Sequence, residues 1–579
     1  MAYNILGINP GHNGSAAVIS DGKLVYYLEE ERLTKEKRDG NPFKTIIDIC
    51  SKFSINELII GGTNTPAERS TLSYTKENPY FSLVRKLNLG IEDYTNLSSS
   101  HHLLHAFSSL HNSPFQSAAV IVVDGCGSWL HYNDIAPFSS LAIEEGKNNN
   151  VHEAESIYEI NTNKFPIEEG IEKHYVNYIS NNINVETKFI NRNPGIVKVY
   201  EGITDYLGFH PLDAGKVMGL SSYGKSNPNI PPLFVNHKGN LDIFKPSYPA
   251  KCELLTNNTP VLHGNQKTKD FHHDKSKLNM VYADLAYEVQ TQTEKEIHHL
   301  IEKAINLTGN NNICITGGYG LNCVANYNMK KKFPKINFFH DPVSFDGGIS
   351  IGAAYLGWLI KKEKNDKSKS FSLYLGPKYS LKKYKKQIKN YSKMFNTYKV
   401  NYKDVAKIIS ERNIVTIFQG RSEAGPRALG NRSILYDPTD PNGKDFVNKV
   451  KKREWFRPFA GTVLLEKANE YFDMAGLKES PFMMYAMDVW PDKQDKIPCI
   501  THVDGTCRIQ TLTEEQNPHY YKLIQEFEKI TGVPILFNTS FNLAGDPLVE
   551  TIEDALETML KSEMKYMYVP ELEMLLEKK

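Results

Sequence analysis

The stretch NILGINPGHNGSAAVISDGKLVYYLEEER, residues 4–32, decides the fold class that the sequence predicts. It holds three short apolar segments that we interpret as strands. The first ends in a glycine-rich turn, and the second ends in Asp21-Gly22, a typical hairpin turn. A similar order begins at residue 118 with AAVIVVDGCGSW and continues with SSLAIEEGK at 139–147. We therefore predict a duplicated α/β domain that binds ligands at strand ends facing a cleft between its halves. Because hairpins are common, a chance likeness is the alternative.

The rest of the chain predicts a long helix, a buried helix and a second domain. Residues 281–309 carry apolar side chains at three- and four-residue spacing, which is typical of a helix. Residues 345–360 predict a glycine-rich loop that enters a buried helix. The segment KKEKNDKSKS, residues 361–370, lacks apolar periodicity and is the best linker candidate. We predict an N-terminal domain, a charged linker and a C-terminal α/β domain with a twisted mixed sheet, over residues 1–362, 363–372 and 373–579.

Charge and composition exclude some classes of partner. The chain has 68 basic and 67 acidic residues, so its net charge gives no general attraction to nucleic acid or acidic lipid. Residues 361–410 are the exception, with fifteen lysines against three acids. We interpret them as a solvated linker and helix face, and a basic surface for an anionic partner is the alternative.

The seven cysteines form no CxxC pair and no regular framework, which favours a reducing compartment and argues against a zinc ribbon. We find no signal peptide at the first residues and no apolar run of the roughly 18 residues that a membrane span needs. The sequence therefore predicts a cytoplasmic protein without a membrane partner.

Two histidines and two aspartates predict a metal site. His101 and His105 are four residues apart, so a helix would present both imidazoles on one face. Asp124 ends an apolar strand, and Asp346 lies in a glycine-rich turn before a helix. Two imidazoles and two carboxylates suit Fe(II), Mn(II) or Zn(II). His102 is then a contact to these ligands or to the substrate. Histidines that pack near a subunit surface are the alternative.

Glycine-rich turns follow several predicted strands, at 10–16, 124–127, 316–320 and 346–348. Backbone N–H groups in such turns can approach a phosphate closely. Lys216, in GKVMGLSSYGK, could neutralise one. Together these features predict a nucleotide site, although none matches the P-loop or the dinucleotide fingerprint.

Beyond the linker, cationic residues alternate with proline, glycine and aromatic residues. Arginine forks bind phosphate or carboxylate with two hydrogen bonds. The pattern predicts a buried oxyanion site, and surface salt bridging is the alternative. The residues concerned are Arg421, Arg427, Arg432, Lys451, Lys452, Arg453, Arg457 and Arg508, with Asn538, Ser540 and Asn542 in FNTSFN.

The motifs HHLLHA, GKVMGL, LNCVAN, GPRALGNRS, REWFRPFA and FNTSFN occur in one order over nearly the whole chain. Together they resemble the O-carbamoyltransferases of antibiotic and Nod-factor biosynthesis. The resemblance implies an N-terminal domain of the actin/hexokinase type and a C-terminal domain similar to the enzyme that makes threonylcarbamoyl-adenylate. It implies that carbamoyl phosphate and ATP, with Mg²⁺, form carbamoyl-adenylate in the C-terminal domain. The N-terminal domain then transfers the carbamoyl group to a hydroxyl of an acceptor, near bound Fe(II) or another divalent metal.

The same resemblance implies roles for individual residues. His12 matches a general base, but Asn13 stands where many relatives have an aspartate that could orient it. The implied metal ligands are His101, His105, Asp124 and Asp346. The implied nucleotide residues are Lys216, Gly317, Gly318 and Asn322. The residues implied to hold carbamoyl phosphate and the ATP phosphates are Arg427, Lys451, Arg457, Arg508, Asn538 and Ser540.

The acceptor stays open at this point: a sugar, an antibiotic-like small molecule, or a hydroxymethylated base in nucleic acid, which the balanced net charge disfavours. Assembly as a homodimer also stays open. The alternative functions are a tRNA threonylcarbamoyl-type modification enzyme, a sugar kinase of the same fold, and a non-catalytic nucleotide-binding protein. A kinase would form ADP and would leave the C-terminal arginines without a role.

Overall fold

The described residues form two compact units. The computed structural model describes residues 2–62, 78–88, 90–130, 151–180, 195–230, 233–237, 240–242, 246–247, 251–252, 269–365, 367 and 371–579. The first unit comprises Met1–Glu30 and Asp39–Phe371, and the second comprises Glu31–Arg38 and Ser372–Lys579. The boundaries at 362 and 373 stay a prediction, because residues 366 and 368–370 of the predicted linker lie outside the described part. Lys367 donates to the backbone carbonyls of Leu110, Ser113 and Phe115.

Strands and helices alternate along the described chain. The strands are β1 (Asn4–Asn9), β2 (Ser15–Ser20), β3 (Lys23–Glu29), β4 (Glu57–Ile60), β5 (Thr95–Asn96), β6 (Ser117–Val123), β7 (Trp129–Leu130), β8 (Val151–Asn161), β9 (Ile171–Ser180), β10 (Val235–His237), β11 (Asn240–Asp242), β12 (Pro246–Ser247), β13 (Lys251–Cys252), β14 (Asn312–Thr316), β15 (Asn337–His340), β16 (Phe395–Lys399), β17 (Val415–Phe418), β18 (Arg432–Tyr436), β19 (Ala460–Leu464), β20 (Ala486–Asp488), β21 (Thr506–Leu512), β22 (Ile535–Ser540), β23 (Tyr566–Val569) and β24 (Met574–Lys578). The α-helices are α1 (Glu31–Thr34), α2 (Phe43–Cys50), α3 (Pro79–Leu87), α4 (His101–Asn112), α5 (Ile196–Tyr206), α6 (Ala214–Ser221), α7 (Met280–Thr308), α8 (Cys323–Lys332), α9 (Ile349–Lys362), α10 (Leu381–Asn390), α11 (Tyr402–Ser410), α12 (Gly443–Val450), α13 (Ala468–Tyr471), α14 (Pro491–Gln494), α15 (Pro518–Thr531) and α16 (Ile552–Leu560).

The first unit contains two sheets with the same strand order. In one sheet the order is β3-β2-β1-β4-β5, with β1 antiparallel to β2 and parallel to β4. In the other, β9, β8, β6, β14 and β15 follow one another in the same way, with β6 antiparallel to β8 and parallel to β14. This repeat confirms the predicted duplication of the α/β domain. The strand predicted at 139–147 lies outside the described residues, and β8 holds the second position of the repeat.

Two buried helices, α4 and α9, join the two halves of this unit. Helix α9 packs on β1 and α4 packs on β6, and the two helices pack on each other. Every residue of α4 except Leu103 is buried, and α9 is buried from Ile349 to Leu359, so these stretches have no solvent face. The crossing is close because Gly352 has no side chain: a Cβ there would overlap the carbonyl oxygen of Leu104. The close crossing holds the start of α4 near the turn that precedes α9.

The second unit is built on one mixed sheet of nine strands in the order β16-β24-β23-β17-β18-β22-β19-β21-β20. The pairs β17/β23 and β19/β21 are parallel, and the other pairs are antiparallel. The strand β19, AGTVL, is buried at every position, which matches its place between two other strands. Helices α11 and α15 pack on each other beside this sheet. The mixed C-terminal sheet is therefore confirmed.

Among the described helices, none has both the length and the apolar character needed to cross a bilayer.

Candidate functional site

The two histidines and two aspartates predicted as metal ligands lie together in the first unit. His101 and His105 stand one turn apart at the start of the buried helix α4. Asp124 directly follows β6, and Asp346 begins the single 3-10 turn that leads into α9. One nitrogen or oxygen atom from each of the four lies within 4.8 Å of the others. All four side chains are buried, so water does not compete strongly for them.

The spacing of these atoms fits one divalent cation. Nε2 of His101 lies 3.2 Å from Oδ2 of Asp124 and 3.2 Å from Nε2 of His105. Oδ1 of Asp346 lies 3.6 Å from Nε2 of His105 and 3.8 Å from Nε2 of His101. Adjacent ligands about 2.1 Å from a tetrahedral or octahedral metal are themselves roughly 3.0–3.4 Å apart. Small side-chain adjustments therefore suffice, and the mixed N/O donor set suits Fe(II), Mn(II) or Zn(II).

The electrostatics of the cluster favour ionised carboxylates. Burial opposes charge on His101, but the carboxylates of Asp346 and Asp124 outweigh burial and raise the pKa of His101 to about 9. Burial also opposes charge on Asp124, yet the hydrogen bond to His101 and the nearby imidazoles hold its pKa well below the usual range. Burial by itself would raise the pKa of Asp346, but its electrostatic interactions with His12 and His101 outweigh burial and lower that pKa. Carboxylates in this state can bind a cation directly.

A glycine turn touches the same cluster. The backbone N–H of Gly318 donates to Oδ1 of Asp124 at 3.1 Å. Gly317 has φ +83°, and a Cβ there would overlap the carbonyl oxygen of Val123, so only glycine fits without strain. The structure thus brings two of the predicted nucleotide residues, Gly317 and Gly318, beside the metal-ligand candidates.

The other two predicted nucleotide residues make their described contacts elsewhere. Nζ of Lys216, on α6, lies 3.0 Å from Oδ2 of Asp213. Asn322 caps α8: its Oδ1 accepts from the backbone N–H of Ala325 at 3.1 Å. Its Nδ2 donates to Oε1 of Gln290 at 3.1 Å. These contacts give Asn322 a structural role and hold Lys216 beside a carboxylate.

His12 lies next to the cluster with about half of its side chain exposed. Its Nδ1 is 3.3 Å from Oδ2 of Asp346, and its side-chain exposure is 50%. The loop that carries His12 is held by a hydrogen bond from the N–H of Gly14 to the carbonyl of Asp39 at 2.7 Å. Asn13, which follows it, takes a positive φ of 70°. The carboxylate beside His12 therefore comes from Asp346, across the fold, and not from the adjacent position in sequence.

His102 faces away from the cluster. Its Nδ1 lies 2.8 Å from Oγ of Ser156 on β8. A Cβ at Gly127 would lie 2.6 Å from its ring, so the ring packs under the loop that follows Asp124. Burial lowers the pKa of His102 to about 4, which keeps the ring neutral. His102 is thus a packing contact of the loop, and the substrate interpretation has no support from its position.

The second unit gathers cations after α12. Lys451 is only 2% exposed. Its Nζ donates to the carbonyl of Ser540 and to Oδ1 of Asn542 at 3.1 Å. Burial, followed by the charges of Arg453 and Arg457, holds the pKa of Lys451 well below its usual range. So dense a positive group indicates a site for an anion.

Arg453 shows how many cations share this site. Burial, and then the charges of Arg457, Arg508 and Arg427, hold the pKa of Arg453 well below its usual range. Glu454 offsets this in part, and its Oε2 lies 3.4 Å from Nη1 of Arg457. The structure therefore brings together five of the cations predicted for the oxyanion site: Arg427, Lys451, Arg453, Arg457 and Arg508.

Asn538 and Arg508 lie on the same face of three neighbouring strands. Both pair with Ala460, which lies between them on β19. Nδ2 of Asn538 donates to Oγ1 of Thr462 at 3.0 Å. Within the described residues, Oδ1 of Asn538 and Nε of Arg508 are buried without a hydrogen-bond partner. Unsatisfied buried groups of this kind are costly unless a ligand satisfies them.

Arg421 and Arg432 turn away from this site. Arg421 donates to the backbone carbonyls of Leu375 and Gly376. Arg432 is fully buried, lies over the ring of Phe418 and donates to four backbone carbonyls, those of Gln419, Gly420, Asn431 and Glu550. These contacts make both arginines structural.

The sequence pattern placed Arg453 and Asn542 in the predicted oxyanion site, but the family resemblance implied no role for either residue. Asn542 accepts from Lys451 and from Oγ of Ser540, the latter at 2.7 Å. The sequence pattern that indicates these residues is the recurrence of basic residues in KKREWFR and of polar side chains at short spacing in FNTSFN. Only the fold brings these two segments together.

Two family models match the chain in order. One described as "Carbamoyltransferase N-terminus" matches residues 67–355, and one described as "Carbamoyltransferase C-terminus" matches residues 406–577. The nodulation protein NolNO of Sinorhizobium fredii is 29% identical over 96% of this chain and 77% of its own length. An uncharacterised protein of Synechocystis sp. is 29% identical over 97% of this chain and 95% of its own length. Among solved structures, full-length HypF in the phosphate- and nucleotide-bound form is 12% identical and covers 63% of this chain and 56% of its own, with a TM-score of 0.35.

Proposed function

Because this chain belongs to the carbamoyltransferase family and is an enzyme of that class, we propose that it is an ATP-dependent O-carbamoyltransferase. The carbamoyl donor is carbamoyl phosphate, and the acceptor is a hydroxyl group of a sugar or another small molecule. The reaction runs in two half-reactions through carbamoyl-adenylate. The second unit makes the adenylate, and the first unit transfers its carbamoyl group.

The first half-reaction brings together two anions that repel each other. Carbamoyl phosphate, ATP and one water give carbamoyl-adenylate, phosphate and pyrophosphate. We assign the anion contacts to Lys451, Arg427, Arg457, Arg508, Asn538 and Ser540, and we add Arg453 and Asn542. This assignment is supported by the cluster's unbalanced positive charge and by the unpaired Nε of Arg508 and Oδ1 of Asn538. Preorganised cations stabilise charge as it develops on transferring phosphoryl groups.

In the second half-reaction the acceptor oxygen attacks the carbamoyl carbon, and AMP leaves. We assign His12 as the general base that takes the hydroxyl proton, because its ring is half exposed and its Nδ1 contacts Asp346. We assign Gly317 and Gly318 to the nucleotide site, where the missing side chains allow the adenylate to approach closely, while the N–H of Gly318 donates to Asp124. Lys216 and Asn322 stay candidates for the nucleotide site, although their described contacts are internal.

We assign His101, His105, Asp124 and Asp346 as ligands of one divalent metal, Fe(II) or a similar ion. When bound there, such an ion supplies Lewis-acid polarisation of the carbamoyl group and offsets the phosphate charge. The protein residues orient this site: the N–H of Gly318 fixes Asp124, and the close helix crossing at Gly352 fixes the turn that carries Asp346.

The observation that carries the proposal is that the N- and C-terminal family models match one chain in order. The test needs no knowledge of the acceptor. The protein is incubated with ATP, carbamoyl phosphate, Mg²⁺ and Fe(II), and the nucleotide products are separated. We expect AMP and pyrophosphate that depend on carbamoyl phosphate.

Two variants sharpen this test. Arg508→Ala should slow this reaction by about 10- to 100-fold, whereas Lys449→Ala removes an exposed charge from α12 and should leave the rate unchanged. ADP as the nucleotide product, in place of AMP, would contradict the proposal and favour a kinase. Equal activity in both variants would remove Arg508 from the donor site.

A further inference from the structure

Helix α10 presents a row of lysines to solvent. The five are Lys382, Lys383, Lys385, Lys386 and Lys389, here named the lysine strip, and all are exposed. At about 100° per residue they fall within one arc of roughly 160° around the helix. Tyr384 and Ile388 are buried on the opposite side, and Oγ of Ser380 caps the first turn. Packing on the second unit therefore fixes the direction in which the strip faces.

The strip has no internal counter-charge. Within the described part of the chain, none of its lysines forms an ion pair with a carboxylate. Its members are three or four residues apart, where like charges repel across a helix surface. Lys382 and Lys383 also lie in the first turn, beside the positive end of the helix dipole, and that turn holds no acidic residue. Nζ of Lys383 lies 4.5 Å from the centroid of the Tyr379 ring, a contact that leaves the charge unbalanced. The arrangement therefore opposes helix stability and gains no ion pair among the described residues in return.

Carboxylates do approach this helix from α16, but they contact uncharged side chains. Glu553 accepts from Nε2 of Gln387 at 3.2 Å, and Glu557 accepts from the hydroxyl of Tyr391 at 3.3 Å. This acidic flank borders the strip without neutralising it. An anionic partner is therefore restricted to the outer face of α10.

The charge of the whole chain is uneven around this point. Residues 378–407 hold ten lysines and one acid, a net charge of +9, while the whole chain carries +1, so the remaining residues carry −8. We propose that the lysine strip is a docking surface for the phosphate backbone of nucleic acid. None of the five lysines is among the residues assigned to carbamoyl transfer, and the proposal does not rest on the proposed function.

The chemistry of the strip favours nucleic acid over a membrane. An interfacial helix inserts its apolar face into lipid, but here Tyr384 and Ile388 on the apolar side of α10 are buried in the protein, and Leu381 at the first position is 45% exposed. A single exposed leucine gives no apolar face to insert. Lysine supplies point charges without the planar fork of arginine, so it suits phosphate contacts and not base recognition. The expected binding is independent of sequence.

The expected affinity follows from counterion release. The strip spans about 10 Å along the helix, and each lysine can neutralise one phosphate. For five phosphates of a duplex, log K falls with log salt at a slope of about −4.5, which is roughly 500-fold between 50 and 200 mM salt.

The experiment measures binding of the full-length protein to fluorescent DNA and RNA duplexes of about 20 base pairs, by anisotropy, over this salt range. One variant changes all five strip lysines to glutamine, which keeps a good helix former at each position. The matched control changes five other lysines of the same unit to glutamine. Each has a carboxylate partner, and they are Lys467, Lys493, Lys522, Lys529 and Lys565. Circular dichroism checks that both variants stay folded.

We expect the wild type and the control variant to bind with the steep salt dependence, and the strip variant to bind at least about 100-fold more weakly at 50 mM salt. Absence of duplex binding by the wild type at 50 mM salt would overturn the proposal. Equal losses in the strip and control variants would also overturn it, since net charge alone would then explain binding. A third contrary outcome is wild-type protein that binds phosphatidylserine vesicles but neither duplex. Carbamoyl-phosphate-dependent AMP formation should be unchanged in the strip variant, so the two proposals can fail separately.

Discussion

Replacing His105 with asparagine tests the metal site with a matched control on the same helix. His105 contributes Nε2 to the cluster, whereas His102, three residues earlier, contacts Ser156 on β8. Both side chains are 0% exposed. Histidine and asparagine have similar helix propensity, so neither His105→Asn nor His102→Asn should break α4 by that route.

The size of the expected effect follows from the geometry. Nε2 of His105 lies 3.2 Å from that of His101 and 3.6 Å from Oδ1 of Asp346, so its loss leaves three donors. Losing a group that merely orients a metal ligand costs about 10- to 100-fold in affinity. Losing a ligand itself should cost at least the upper end of that range, about 100-fold or 2.8 kcal/mol. His102→Asn should stay within about threefold of the wild type, because it removes no donor.

The assay is calorimetric titration of Mn(II) or Co(II) into metal-free protein, for the wild type and both variants. Thermal unfolding of each protein reports the cost of the buried substitution separately. AMP formation from ATP and carbamoyl phosphate should persist in His105→Asn, because its proposed residues lie in the second unit. Transfer to an acceptor should be lost.

Two results would refute this reasoning. Wild-type metal affinity in His105→Asn would remove His105 from the site. A loss of affinity in His102→Asn as large as that in His105→Asn would show that damage to α4, and not the missing donor, explains the effect.

Further predictions concern the second unit, a glycine turn and pH. Arg508→Ala should slow carbamoyl-phosphate-dependent pyrophosphate release by about 10- to 100-fold, because a charged hydrogen bond contributes about 1.5–3 kcal/mol; a rate within about twofold of the wild type argues against its role. Arg432→Met should lower the free energy of unfolding by at least about 3 kcal/mol in a denaturant titration, since several buried carbonyls lose their donor; a smaller loss contradicts its structural role. Gly317→Ala, at φ +83° with a Cβ that overlaps backbone, should cost more than about 2 kcal/mol, whereas Gly309→Ala, at φ +65° in open space, should cost about 1 kcal/mol. Burial raises the pKa of Glu155 from 4.5 to about 7, so the folded state binds the extra proton and stability should fall as pH rises through this interval. Glu155→Gln should flatten that part of the profile of unfolding free energy against pH.

Much of the fold followed from local pattern. The long helix predicted at 281–309 is Met280–Thr308, and the buried helix predicted after the glycine turn at 345–348 is Ile349–Lys362. Apolar periodicity and a glycine end signal are local properties, so they survive without knowledge of the fold. The duplicated sheet was harder, because the second strand of the repeat depends on which later segment pairs with β6, and that segment is β8.

Part of the candidate site also followed from the sequence, and part depended on the fold. Spacing alone put His101 and His105 on one helix face, and strand ends suggested Asp124 and Asp346. Residue type alone could not separate the arginines, because Arg432 and Arg508 occur in equally polar, glycine-containing segments. They differ in the contacts that the fold gives them. The guanidinium of Arg432 donates to backbone carbonyls, whereas Nε of Arg508 is buried without a hydrogen-bond partner among the described residues.

By itself, the sequence determined the types of residue available, the helices and strands with strong periodicity, and the family to which the motifs belong. These depend on chemistry within a few residues along the chain. The tertiary structure alone decided which polar groups meet: Asp346 beside His12, Gly318 on Asp124, and Lys451 on the carbonyl of Ser540. Such pairs join residues that are far apart in sequence, and only the packing of helices and the register of strands sets the distances between them.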